Sequence, residues 1–190
     1  PVSLGAWYWG KILGRYLIIF APVMLAMVAA VVVALIKGLP VPWGMFIYYT
    51  GLLATMGACF LGIAVLVSVL ARGTDVAQGA AFLIWLTLLL FLDLILLGVM
   101  IQGKVSPEVA VSIALINPLQ VFRTAALAMF DPTLIVLGPS AYVILDHFGL
   151  SGYKVFALFY PGLIGVGSAI LGARQSRTPL RRPAPRVRAL

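Results

Sequence analysis

The stretch ALINPLQVFRTAALAMFDP, residues 114–132, lies in an intensely apolar chain, yet two prolines, an arginine and an aspartate interrupt it. Either it crosses a membrane or it must stay at the surface, and the two readings give different folds. A hydrocarbon core of about 30 Å needs roughly 20 apolar residues in a helix rising about 1.5 Å each. Ser106, Pro107 and Glu108 read as a cap, a first-turn proline and a first-turn acid, opening a helix through Ile116. Pro118 disfavours helical geometry at Asn117, so that helix ends there, too short to cross. A second helix is expected over 119–130, with Gln120, Arg123 and Thr124 on one side. Asp131-Pro132 repeats the cap-plus-proline signal, Gly138-Pro139 breaks the next apolar piece, and Asp146-His147 ends the one after it. Residues 102–154 thus read as a cluster of short helices lying at, or dipping into, one interface.

The rest of the chain supplies the crossings. Of 190 residues, 63% are hydrophobic and only 9% charged, with a mean hydropathy of +1.14, whereas soluble domains carry roughly 25% charged residues. This is an all-α integral membrane protein. Four runs reach spanning length: 16–36, 45–71, 77–101 and 155–173. Lipid demands that their backbone hydrogen bonds stay internal, which makes them helices. Four spans put both ends on one side. That side collects Lys11, Arg15, Arg72 and the six tail cations Arg174, Arg177, Arg181, Arg182, Arg186 and Arg188, against Lys37, Lys104, Arg123 and Lys154 on the other. The excess places both termini in the cytoplasm and the short helices outside. Trp7, Tyr8, Trp9 and Tyr16 would form the inner aromatic belt, and Trp43, Phe46, Tyr48 and Tyr49 the outer one. The tail, 174–190, reads as disordered. Its arginines suit anionic lipid, and no basic surface with interleaved aromatics points to nucleic acid.

Chemistry is sparse. One cysteine, Cys59, precludes an intrachain disulfide, and with one histidine, His147, no all-protein metal site is expected. Met56-x-x-Cys59 has the softness of a Cu(I) ligand pair, but the six methionines are scattered and read as core filler. The chain holds no metalloprotease, nucleophile-elbow or P-loop motif, so it is not expected to be an enzyme or to hold a cofactor. Asp93, inside LLLFLDLILL, is the sharpest anomaly. It is read either as a polar residue on a substrate or proton path, or as a hydrogen-bonded contact between helices. Ala26, Ala30 and Ala34, the pair Gly10 and Gly14, and Ser168 with Gly172 mark ridges for close helix approach.

The opening PVSLGAWYWGKILGRYL resembles the segment of type-2 ABC transporter permeases that follows the cytoplasmic coupling helix. Pro1-Val2-Ser3 and Gly10-Lys11-Ile12-Leu13-Gly14 match the two family elements in order and spacing. The layout that follows is similar too: two spans, a short inner turn, another span, a long outer helical segment and a final span. Asn117-Pro118 and Arg123 make the whole look most like the NosY-type permeases of copper-processing transporters in nitrous oxide reductase maturation. The family has six spans, so the chain is expected to be the C-terminal two-thirds of such a fold, without the elbow helix and first two spans.

The resemblance implies a mechanical role. A separate cytoplasmic ATPase subunit would hold Mg-ATP, a second permease copy would complete a homodimer in the inner membrane, and a periplasmic partner would dock outside. The ATPase-coupling contacts would be Ser3, Lys11, Arg72 and Asp75, and the outer docking contacts Asn117, Gln120, Arg123 and Asp131. A permease for lipid or drug export, and a non-transporting membrane anchor or assembly protein, are the alternatives.

Overall fold

The computed structural model describes residues 3–91, 106–134, 137 and 139–177. Helix α1 spans Leu4–Ile36, α2 Trp43–Leu70 and α3 Thr74–Leu86, the last continuing through a π-helical turn at Thr87–Phe91. Two short helices follow, α4 at Pro107–Ile116 and α5 at Pro118–Phe130, and the chain closes with α6 at Pro139–Arg177. There is no strand among the described residues. The stretches Gly5–Ile36, Trp43–Leu70 and Ala141–Ser176 are long and apolar enough to cross a membrane. The span expected over 77–101 is described only as far as Phe91, and Asp93 lies outside the described residues.

α1 begins well before the expected start at residue 16. Ser3 caps it, its hydroxyl accepting the Ala6 N–H at 3.2 Å. A helix need not stop where hydrocarbon does, and at 33 residues α1 overruns a bilayer core. At its other end the Gly38 N–H bonds Leu35 O and the Leu39 N–H bonds Ala34 O, a paired closure that needs a left-handed residue, and Gly38 sits at φ +66°.

The closest glycine contact among the described residues lies between α2 and α6. A Cβ at Gly62 would fall on the carbonyl of Gly165, and one at Gly165 would fall on the backbone of Ala58 and Cys59. Only hydrogen at these positions lets the two backbones meet. Met56 and Cys59 are buried on this face as packing groups. The ridges expected on α1 are not used in this way: Ala26 and Ala30 are exposed, and nothing lies within 4 Å of a Cβ built on Gly10 or Gly14. Gly172 does pack, against Leu66 and the Tyr8 hydroxyl.

Tyrosines tie the helices together. Tyr8 donates to Ala169 O, Tyr16 to Ala54 O and Tyr48 to Lys154 O, each at 2.9 Å. These three, expected as headgroup anchors, instead turn inward. Thr50 and Thr55 fold back onto carbonyls of their own helix, so these hydroxyls are satisfied inside the span.

The hydrophobic core sits at one end of the bundle. There Val111 of α4, Val121, Ala125 and Ala128 of α5, and Ala141 and Ile144 of α6 close over Leu52, Tyr153 and Ala157. α6 is broken at Gly149, whose φ of 62° and ψ of 163° favour glycine. The break falls just after Asp146-His147, and it folds residues 139–148 back over α4 and α5. Two expectations are corrected. Asp131-Pro132 opens no helix: the Asp131 carboxylate accepts from the Thr133 N–H at 3.1 Å and from its hydroxyl, closing a turn that leads to Leu134 at φ 52°. At the other end of the chain, residues 174–177 belong to α6 rather than to a disordered tail.

Gly165→Ala should lower the thermal unfolding midpoint in detergent by several degrees, since overpacking a close contact costs about 1–3 kcal/mol. Gly14→Ala, with open space around it, should leave the midpoint unchanged; equal effects would show that the α2–α6 contact is not limiting.

Candidate functional site

The two ends of the bundle differ in kind. At one end stand the start of α1, the α2–α3 turn and the last turns of α6, brought level by the Tyr8–Ala169 bond and the packing of Gly172 on Leu66. Ser3, Lys11, Arg72 and Asp75 are all exposed here. Lys11 lies over the Trp7 ring, 4.6 Å from its centroid. Gly73 at the head of α3 offers no side-chain cap, and Asp75 supplies the acidic first turn that favours a helix N-terminus. The structure thus gathers the four expected coupling residues at a single end.

The opposite end carries the platform of short helices. Its geometry follows from Pro118. Having no N–H, Pro118 cannot pair with Ala114 O, and that carbonyl is taken by Asn117 N at 3.1 Å in a tighter turn. The Tyr160 hydroxyl reaches the last carbonyl of α4, Ile116 O, at 2.8 Å. The Asn117 side chain then caps α5, accepting the Leu119 N–H at 3.0 Å. α4 and α5 consequently meet at 110°.

Asn117 does more than cap. Its Nδ2 donates to Leu88 O at 2.7 Å, within the π turn of α3. A π turn widens the helix and disturbs its regular bonding. Thr87, at its start, folds back on Leu83 O at 2.8 Å, a contact that bends helices. α3 is thus fastened by one amide to the corner of the platform.

This overturns the docking role expected for Asn117, which is 1% exposed and spent on internal bonds. Gln120 is half-buried, its Oε1 without a hydrogen-bond partner among the described residues. Arg123 and Asp131 are half-buried and engaged within the fold. The polar face the platform does present is a cleft of about 530 Å³ between the start of α4 and residues 142–147, carrying Glu108, Asp146 and His147. Bonds from the Ser106 side chain and the Glu108 backbone N–H, with His147 close by, hold the Glu108 carboxyl below its ordinary value. His147 Nδ1 sits 3.0 Å from Val143 O. The sequence marked Glu108 as a helix opener and Asp146-His147 as a helix end. Nothing in their spacing said that the break at Gly149 brings them to one cleft. Among the described residues, no three His, Cys, Asp or Glu side chains are grouped to hold a metal ion.

A helical, multi-pass membrane protein with a capped bundle is the class this architecture defines. A sequence model of the family described as "ABC-2 family transporter protein" matches residues 1–141, and the chain belongs to that family. It is similar to a "Probable ABC transporter permease protein NosY" of Pseudomonas aeruginosa, 29% identical over 137 residues, covering 69% of this chain and 50% of that protein. The protein of the same description from Stutzerimonas stutzeri is 28% identical over 139 residues, with the same coverage. The chain therefore spans about half the length of the curated relatives it matches. No solved structure matches it significantly.

The two jobs of Asn117 separate by substitution. Asn117→Ser keeps a capping oxygen but cannot reach Leu88, whereas Asn117→Ala loses both bonds. Asn117→Ala should cost about 1–3 kcal/mol and Asn117→Ser less, read as detergent unfolding midpoints. Equal midpoints for the two variants would remove the cap from the account.

Proposed function

We propose that this chain is the permease part of an ATP-driven transporter, its ATP hydrolysed by a separate cytoplasmic subunit, in a system that matures a periplasmic copper enzyme of the nitrous oxide reductase type. The family match across residues 1–141 carries the reading, because it runs from the coupling end of α1 to the platform. The similarity to the two NosY permeases supports the finer assignment. In this reading the exposed group Ser3, Lys11, Arg72 and Asp75 meets the ATPase, and a second permease copy completes the transporter. Both ends of the described chain face the cytoplasm, as the distribution of cations favours.

The platform would then face the periplasm and receive a partner protein. Its helices are too short to cross, they share a core, and they offer a cleft with Glu108, Asp146 and His147. Asn117 gives the platform a mechanical tie to α3, whose other end starts beside Arg72. Movement imposed at the ATPase end would reach the platform along that helix.

Two measurements test this. On a Cys59→Ala background, single cysteines at Ser3 and Ser176 should resist an impermeant thiol reagent in intact cells; labelling of both from outside would invert the topology. The pair Arg72→Glu and Asp75→Lys should reduce co-purification of the ATPase subunit about ten-fold or more, while Asp146→Lys with His147→Glu should spare it and release the periplasmic partner. Loss of both partners in either variant would remove the division of labour between the two ends.

A further inference from the structure

In its first half α1 is held to the bundle by Tyr16, which bonds Ala54 O and packs near Gly57. Pro22 then interrupts its ladder, leaving Ile18 O without its usual donor. Beyond it, the last turns of α1 stand off from the bundle and enclose an apolar groove of about 460 Å³, open along one side. Met27, Ala30 and Ala34 of α1 form one wall, Phe46 of α2 the floor, and Met129 and Phe130 of α5 the other wall. Of the described residues that line it, Tyr49 alone carries a polar side-chain atom.

Two observations say what fills it. The groove is cut into stretches long and apolar enough to cross a membrane, and Met45 and Phe130, which line it, are themselves exposed, so hydrocarbon bathes the opening. At its end, one turn beyond Ala34 and on the same face, stands the exposed Lys37. The carbonyls of Val33, Ala34 and Leu35 are already taken by backbone N–H groups, so the Lys37 ammonium is not needed to cap the helix. No ion pair occupies it among the described residues. An apolar trough with a cation one turn past its α1 wall suits a glycerophospholipid, acyl chain inward and phosphate outward.

We propose that the α1–α2–α5 groove is a binding site for one bilayer phospholipid, its acyl chain lying between Ala30 and Met129 and its phosphate on Lys37. The site requires only the membrane-spanning fold and stands apart from any transport role. A seated lipid would fix the distance between α1 and α5, two helices that the short core leaves separate.

The test uses the full chain purified in mild detergent, stripped of lipid and titrated with dioleoyl phosphatidylglycerol, with native mass spectrometry counting bound lipid. The wild type should take up one tightly held molecule. Ala30→Trp, which fills the trough, and Lys37→Glu, which reverses the charge at its end, should each lower the bound fraction about ten-fold. Leu25→Trp, on the opposite face of α1, should not. Uptake equal in all four proteins, or none in the wild type, would overturn the site. A dimer that Ala30→Trp dissociates without any change in lipid would assign the groove to a second copy and also overturn it. Should Ala30→Trp elute as aggregate, Lys37→Glu decides.

Discussion

Everything in this molecule is hung on the meeting of two glycines. Where Gly62 and Gly165 pass, α2 and α6 approach until backbone touches backbone, and no side chain other than hydrogen fits. In lipid there is no hydrophobic force between apolar helices, so close packing and internal hydrogen bonds must supply the attraction. The pair gives α2 and α6 one fixed axis. Around it the tyrosine hydroxyls of residues 8, 16, 48 and 160 find carbonyls on neighbouring helices. Gly62 and Gly165 place α2 against α6, and that pairing positions the surface over which the short helices close.

The second constraint is Pro118. By removing one N–H it ends α4, turns the chain by 110° and leaves Ala114 O to the Asn117 N–H, while Ile116 O takes the Tyr160 hydroxyl of α6. Asn117 stands at that corner and links it to the π turn of α3. Two helices, each too short to span alone, are thereby joined to a helix whose far end lies at the opposite side of the bundle.

Much of this was readable beforehand. Composition made the class plain, and the helix boundaries at Pro107, Asn117 and Phe130 follow from local rules of caps and prolines, which depend only on neighbours in sequence. What escaped depends on neighbours in space. Small residues recur in every span, and nothing local distinguishes Gly62 from Gly10 or Gly14, whose surroundings are open. The resemblance put Asn117 among the docking contacts; its partner is Leu88, in the same chain. The cleft of Glu108, Asp146 and His147 needs the left-handed Gly149 to exist, and a lone glycine does not announce where it will turn the chain.

The glycine contact also bears on how the protein is made. Gly62 and Gly165 are separated by about a hundred residues of sequence, which a ribosome takes on the order of ten seconds to add. α1 and α2 enter the bilayer as a hairpin long before α6 emerges. Throughout that interval the face of α2 that carries Gly62 and Cys59 lacks α6. Biogenesis of this fold therefore passes through a stage in which the notch at Gly62 is unfilled, and slower emergence of α6 would prolong it.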